Sequence, residues 1–384
     1  MSAGFAAADV SVSGDGRMGV VSSDGVMTFT NRARIKFSGS GTTDGGLAFG
    51  GSFSAHEAAA AEATGNSGSV FISGAFGKIK MGSVDSGDSA SVGQLAGVGL
   101  TSLGSGNSIS YAADKGGDGG LPGTFADAGG AKVLYTYSAG ALTINASTAQ
   151  MTDGGATAYG IGGSYAAGAL TVGLGYGVVD GGRITGLRVY DASTAAGVAA
   201  VGTPDLVTYV AATPAVKAGF YETTALDASV TDLSLSVAYV MDNTTIKAIY
   251  QNKTVEASAA ARAAVTTSAA AFVHDHSAIA LSATATSMGL SVVQKMDALS
   301  LTAYGINTTV DADSDLSADN PTVSRYGIGF GYDLGGGASV VGGWATVDAL
   351  VPAAIAGTTD LALETYTLTS VSADQWDLGL SFSF

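Results

Sequence analysis

Six basic residues of the sequence have a spacing that places them on one face of extended strands. Side chains two residues apart in a strand point to the same side. Three of the six alternate with apolar or small residues in Phe29–Phe37, one precedes them, and two follow near residue 80. Long cations facing an aqueous space would shape its electric field and filter ions and solutes; the alternative is a solvated strand face without a role. The set comprises Arg17, Arg32, Arg34, Lys36, Lys78 and Lys80.

Carboxylates that could oppose these cations occur in the Gly- and Ser-rich segment 84–130. Its members are Asp85, Asp88, Asp114, Asp118 and Asp127. Carboxylates across from arginines would create a transverse field, so the two groups are predicted to form the charged sides of a constriction. The alternative for this segment is an external loop.

No other cluster indicates catalysis or a resident cofactor. His274-Asp275-His276 offers two imidazoles two residues apart, which is weak support for a metal site. Gly116–Gly120 carries one Gly-Asp repeat unit without recurrence. The sequence contains no nucleophile elbow, phosphate-binding loop or zinc signature. We therefore predict neither an enzyme nor a metal site.

Period-2 alternation recurs along the whole chain and predicts an all-β protein. In the last strand, Leu378, Leu380, Phe382 and Phe384 alternate with small or polar residues. Sixteen strands are predicted, at about 10–21, 26–39, 45–56, 68–75, 77–83, 131–138, 141–149, 157–166, 169–179, 231–241, 244–253, 286–296, 298–308, 323–333, 337–346 and 374–384. A further hairpin at 206–223 would raise the count to eighteen.

Composition favours strands that span a membrane. Hydrophobic residues make up 46% and charged residues 12% of the chain, yet its longest uncharged run, 154–179, is too rich in Gly for a spanning helix. Strands that present apolar residues to lipid and small polar residues to water can cross a bilayer only as a closed barrel. We predict a transmembrane antiparallel β-barrel in the outer membrane of a Gram-negative cell, with short turns at one end and long links at the other.

The charge and the Cys content exclude some classes of protein. A formal net charge of -16 argues against nucleic acid as a partner. The absence of Cys excludes a disulfide scaffold. Residues 1–8 are interpreted as a signal-peptide remnant or a cloning residue, and 9–384 as one barrel domain. The competing interpretation is a non-channel Gly-rich β-protein, secreted or in the outer membrane, that acts in adhesion or cell-surface structure.

Several segments resemble one family in detail. They are Phe29–Phe37, Ser40–Phe49, Ala55–Glu57, Ser73–Gly82, Leu134–Gly140 and Tyr332–Gly343. They are similar to the general diffusion porins of alphaproteobacteria, the purple-bacterial type of outer-membrane porin. The likeness covers the first 180 residues and the end of the chain well, and the middle thinly. The final Phe384 also resembles the carboxyl-terminal signature of bacterial outer-membrane barrels.

This resemblance implies a specific architecture and function. The family implies a homotrimer of sixteen-stranded barrels, each with its third loop folded inward, and passive diffusion of small hydrophilic solutes and ions. Arg17, Arg32 and Arg34 match basic wall positions of the family, whereas Ser54 stands where the family can carry Lys. Segment 84–130 is less acidic than the family leads us to expect, which weakens the expectation of strong cation selectivity. No cofactor is predicted, with calcium bound by this loop as the alternative.

Overall fold

The protein is described by a computed structural model that covers residues 9–58, 68–114, 132–150, 157–191, 207–209, 220–259, 279–312, 322–353 and 367–384. These residues form seventeen strands and two short helices. The strands are β1 (Asp9–Ser23), β2 (Val26–Thr42), β3 (Ala48–Ala58), β4 (Ser69–Gly74), β5 (Gly77–Gly82), β6 (Lys132–Ala139), β7 (Leu142–Gln150), β8 (Thr157–Ala167), β9 (Leu170–Asp191), β10 (Val207–Tyr209), β11 (Phe220–Met241), β12 (Thr244–Ala259), β13 (Ile279–Met296), β14 (Leu299–Ala312), β15 (Thr322–Gly335), β16 (Ala338–Ala353) and β17 (Thr367–Ser383). Helix α1 is Gly87–Val92, and a 3₁₀ turn covers Leu103–Ser105.

Sixteen of these strands form a closed antiparallel barrel. The first and last strands pair from Asp15↔Ser383 to Ser23↔Gln375. The N–H of Gly14 donates to the carbonyl of Phe384 at 2.6 Å, and the N–H of Phe384 donates back at 2.9 Å. Strand β1 pairs with β2 on one side and with β17 on the other. The first and last strands of the chain therefore close the sheet and leave no free edge where they meet. The predicted sixteen-stranded antiparallel barrel is confirmed.

The eighteen-strand alternative is wrong. Strand β9 pairs directly with β11 from Leu170↔Tyr239 to Asp191↔Phe220, so no further strand lies between them. The three-residue β10 pairs only with the beginning of β11. The centre of the proposed hairpin, 210–219, lies outside the described residues, as do residues 1–8.

The two faces of the barrel wall have opposite polarity. On β11, Leu233 and Leu235 are 49% and 39% exposed, whereas Ser234 and Ser236 are buried. A water-soluble protein shows the reverse arrangement. An apolar outer band with small polar residues inside is the pattern of a membrane barrel. The described residues contain no helix that is long and apolar enough to span a membrane.

The two ends of the barrel differ as expected. Tight turns with left-handed residues, such as Gly168 (φ 59°) and Asp242 (φ 44°), join strands at one end. The other end carries the longer links, apart from the tight β1–β2 turn at Asp24-Gly25. At this second end β9, β11 and β12 extend well beyond the predicted limits. The sequence of these extensions lacks the sustained alternation of apolar and polar residues from which the strand limits were predicted.

Candidate functional site

Residues 84–114, which follow β5, pack against the polar inner face of the barrel and are called here the inner segment. Helix α1 is preceded by Ser86 and followed by Gly93, whose φ of 68° only Gly adopts freely. The helix lies on a floor of glycines on β8 and β9. A Cβ at Gly175 would be 2.8 Å from Cα of Asp88, and a Cβ at Gly160 or Gly177 would overlap the Asp88 carboxylate. The glycines of these strands therefore permit a close approach that larger residues would prevent.

Polar groups from strands far around the ring hold the rest of the inner segment. On β12, Lys247 Nζ donates to the carbonyl of Val92 at 2.6 Å. On β15, Arg325 Nη1 donates to the carbonyl of Ser108 at 2.8 Å. The carboxylate of Asp377 on β17 accepts from the backbone N–H groups of Leu100 and Thr101 at 2.9 and 2.6 Å. The inner segment therefore contacts β8, β12, β15 and β17, which lie far apart around the barrel.

Apolar side chains complete the docking. A cluster of buried residues joins the inner segment to the inner faces of β12, β14 and β16. From the segment it contains Val92, Leu95, Val98, Leu103, Ile109 and Tyr111, and from the wall Ile249, Tyr304, Ile306 and Ala345. Together with the charged anchors, this burial favours a single docked position.

The first two strands bring the three predicted arginines together. Arg17 and Arg32 are directly opposite each other in the β1–β2 register, and Arg34 is opposite Asp15. The Asp15 carboxylate accepts from Arg32 Nη2 at 2.7 Å and from Arg34 Nε at 2.6 Å, with one oxygen for each. Arg17 Nη1 donates to the carbonyl of Leu100 at 3.4 Å. Asp15, which the sequence analysis did not assign, is therefore the local counter-ion of this cluster.

The three lysines lie on the same inner face of β2 and β5. Lys36 is in register with Ser13 and Ser54 and is exposed. Lys78 Nζ lies 4.3 Å from the centre of the Phe71 ring, a cation–π distance. Lys80 is opposite Phe71 in the β4–β5 register and is partly exposed. The basic residues thus follow one side of the barrel wall, from β1 to β5.

The predicted acidic residues occupy different environments. Asp85 is exposed, whereas Asp88 is fully buried. Asp114 forms an ion pair with Lys132 on β6, with 3.0 Å between Oδ1 and Nζ. Asp118 and Asp127 lie outside the described residues. Among the acidic residues in the described part of the inner segment, Asp85 alone is exposed.

Burial gives Asp88 an unusual protonation equilibrium. Its pKa is raised to about 6, first by loss of solvent and then by the nearby Asp232 carboxylate on β11. Neither Asp88 oxygen has a well-aligned hydrogen-bond partner among the described residues. The Asp232 carboxylate accepts a hydrogen bond from the backbone N–H of Ala112 at 2.7 Å, so it anchors the C-terminal end of the inner segment. Burial also raises the pKa of the neighbouring Tyr111.

Sequence reasoning missed the anchors of the inner segment. Asp232, Lys247, Arg325 and Asp377 are charged residues at inward positions of β11, β12, β15 and β17. A charged residue at an inward position of a strand is a signal that a sequence search could use. Its partner on the inner segment is visible only in three dimensions. No group of three potential metal-ligating residues occurs within the described ranges.

A closed sixteen-stranded barrel with an apolar outer band defines an outer-membrane β-barrel of the porin type. The family model for Gram-negative porins matches residues 1–277. A porin of Rhodobacter capsulatus is 35% identical over 350 residues, which cover 88% of this chain and 95% of that porin. The chain belongs to the Gram-negative porin family, and it is an outer-membrane porin.

Solved structures agree with this assignment. A porin structure refined at 1.8 Å superposes with a TM-score of 0.60 at 30% identity, covering 98% of this chain and 100% of that one. The trimer form of OmpT from Vibrio cholerae gives a TM-score of 0.62 at 15% identity, covering 98% and 100% of the two chains. At this lower identity the likeness concerns the fold alone.

Proposed function

We propose that this porin is a general diffusion channel, a passive water-filled path for small hydrophilic solutes and ions that runs between the basic wall and the inner segment. One observation carries the proposal. The inner segment is bonded to β12, β15 and β17, while the side chains of Arg32 and Arg34 on β2 remain 29% and 43% exposed. Water therefore reaches the basic wall beside the docked segment. A barrel of sixteen strands is also wide enough to leave an aqueous channel.

The constriction is assigned to the two charged groups predicted from the sequence. Its basic side comprises Arg17, Arg32, Arg34, Lys36, Lys78 and Lys80, and its acidic side comprises Asp85, Asp88, Asp114 and Asp118. Arg remains charged at any physiological pH, so the field that it creates is permanent. Within the described part of this acidic side, the charge of Asp85 faces water most directly. No catalytic role and no cofactor are proposed.

We also propose a homotrimer in the outer membrane. Strands β4 and β5 have six residues each. At about 3.3 Å per residue such a strand extends about 20 Å, less than the ~30 Å hydrocarbon core of a bilayer. The apolar residues Phe29 on β2 and Val70 on β4 are 88% and 61% exposed on this side. A neighbouring protomer would cover short strands and exposed apolar groups better than lipid can. OmpT of Vibrio cholerae, which shares the fold, has a trimer form, so a barrel of this fold can assemble in this way.

Conductance across a planar lipid bilayer tests the proposed function directly. We expect stepwise, ohmic current increments when purified protein is added, and mass measurement of the unheated detergent complex should give three chains. Protein that inserts without current steps would instead support a plugged or structural barrel. Protein that stays monodisperse in plain buffer and ignores detergent micelles would support the Gly-rich adhesion or surface protein.

A further inference from the structure

The arginine cluster on β1 and β2 holds more positive charge than its local counter-ion neutralises. Asp15 forms ion pairs with Arg32 and Arg34, whereas Arg17, opposite Arg32, lies near both the Asp377 and the Asp15 carboxylates. The Asp377 carboxylate on the adjacent strand is engaged by three donors of Leu100 and Thr101. Like charges directly opposite each other on neighbouring strands repel, as Arg17 and Arg32 do. Such a cluster is stabilised when a further anion approaches it.

The cluster also has unused hydrogen-bond donors. Each guanidinium carries five N–H groups and no acceptor. The Nε atoms of Arg17 and Arg32 are shielded from solvent and have no hydrogen-bond partner among the described residues. Because the Arg32 and Arg34 side chains as a whole are partly exposed, a solute in the lumen can reach their outer nitrogens and reorient them. Planar guanidinium groups bind carboxylate and phosphate oxygens best, since two parallel N–H groups match two oxygens.

The charges around the cluster also favour an anion. Lys36 continues the basic row on β2, and Lys78 and Lys80 extend it on β5. The facing inner segment offers one exposed carboxylate, that of Asp85, because Asp88 is buried and Asp114 is paired with Lys132. An anion beside the arginines therefore meets several cations on one side and, among the described carboxylates of the inner segment, a single exposed one on the other.

From this arrangement we propose that Arg17, Arg32 and Arg34 form a binding subsite for oxyanions, namely carboxylate- and phosphate-bearing solutes, and that Asp15 is a tethered competitor that keeps the binding weak. Asp15 already occupies the subsite in the way a solute carboxylate would, with one oxygen on each of two arginines. A solute must displace it, so the anion passes on instead of remaining bound. This assignment rests on the proposed channel function and specifies the solute class that the channel favours.

The experiment uses inorganic phosphate as the probe and two readouts. One is the phosphate concentration that halves the chloride current through single channels, and the other is phosphate binding to the detergent-solubilised protein, followed by ³¹P NMR. Asp15→Asn removes the competing charge, so we expect half-block and half-saturation at about tenfold lower phosphate, a factor that corresponds to the loss of one charge-assisted contact. Arg34→Lys keeps the charge but loses the planar fork, so both readouts should require more phosphate than the wild type does.

Asp44→Asn is the matched control, because it removes an exposed carboxylate of the β2–β3 turn, outside the constriction, with the same change in net charge. It should leave both phosphate readouts near the wild-type values. If Asp44→Asn and Asp15→Asn strengthen phosphate binding equally, or if Arg34→Lys changes nothing, only a general field exists and the subsite is refuted. Absence of current with intact, Asp15-dependent phosphate binding would refute the channel and keep the subsite. Current without any phosphate binding would refute the subsite and keep the channel.

Discussion

Asp377 and Thr101 are joined by two hydrogen bonds although 276 residues separate them in the sequence. Oδ2 of Asp377 accepts from the backbone N–H of Thr101 at 2.6 Å and from its Oγ1 at 2.7 Å. Oδ1 accepts from the N–H of Leu100 at 2.9 Å. The carboxylate is buried on the last strand of the barrel. It anchors the inner segment on the side of the barrel away from β8 and β9, whose glycines contact α1.

Asp377→Ala should release this part of the inner segment. The substitution leaves one buried and one partly buried backbone donor without an acceptor, and we expect docking to weaken by about 2–4 kcal/mol. Hydrogen exchange of the amides at 99–101 should accelerate, and single-channel current should fluctuate more. Asp374→Ala is the control, since it removes an exposed carboxylate of the same strand while the backbone hydrogen bonds of residue 374 with Asp24 remain available. Equal exchange rates in both variants would argue against the anchoring role of Asp377.

Asp88 should make docking of α1 depend on pH. In the docked segment its pKa is about 6, against an ordinary value of 3.8 for a solvated Asp. Since the docked state binds the proton more tightly, docking is strongest below about pH 4, weakens as the pH rises to about 6, and is then constant. The difference of about two pH units between the pKa values corresponds to about 3 kcal/mol.

Asp88→Asn should therefore strengthen docking at pH 8 by up to about 3 kcal/mol and abolish the pH dependence between pH 4 and 6. An amide is neutral, and it can donate a hydrogen bond towards the Asp232 carboxylate. The measurement is the protection of amides 87–93 from hydrogen exchange at several pH values, corrected for the intrinsic exchange rate. Asp85→Asn, on an exposed residue of the same segment, should keep the wild-type profile. A profile of Asp88→Asn that still falls between pH 4 and 6 would assign the dependence to another group.

Gly173→Ala should displace α1 from β9. A Cβ at Gly173 would overlap the carbonyl oxygen of Ser91, a backbone atom that cannot rotate away. We expect faster hydrogen exchange in α1 and a changed single-channel conductance while the barrel itself stays folded. Gly163→Ala on the neighbouring strand serves as the control, because its Cβ would lie 3.5 Å from the carbonyl of Thr143, an ordinary contact. Identical behaviour of the two variants would show that α1 tolerates a larger residue at 173.

Replacing Arg32 and Arg34 together by Ala should widen the pore and shift its ion selectivity towards cations. The change removes two positive charges from the wall and leaves Asp15 without its two partners. Reversal potentials in a salt gradient measure the shift, which should be largest at low ionic strength because the Debye length is then longest. If the reversal potentials of the double variant equal those of the wild type, these arginines belong to a solvated strand face and the constriction lies elsewhere.

The sequence alone determined the barrel. Alternation in segments such as Leu233–Tyr239 requires one face in lipid and one in water, and only a closed sheet satisfies the backbone of such strands within a membrane. The same alternation placed Arg32, Arg34 and Lys36 on the inner face. It failed at the far ends of β9, β11 and β12, where the sequence lacks a sustained alternation of apolar and polar residues.

The tertiary structure decided which groups compensate these charges. The sequence favoured loop carboxylates opposite the arginines, but the structure pairs Arg32 and Arg34 with Asp15 across the first hairpin and buries Asp88 beside Asp232. Local periodicity fixes the face of a strand on which a side chain lies. The partner of that side chain depends on strand register, on closure of the ring and on the path of the inner segment, all of which join residues far apart in the chain.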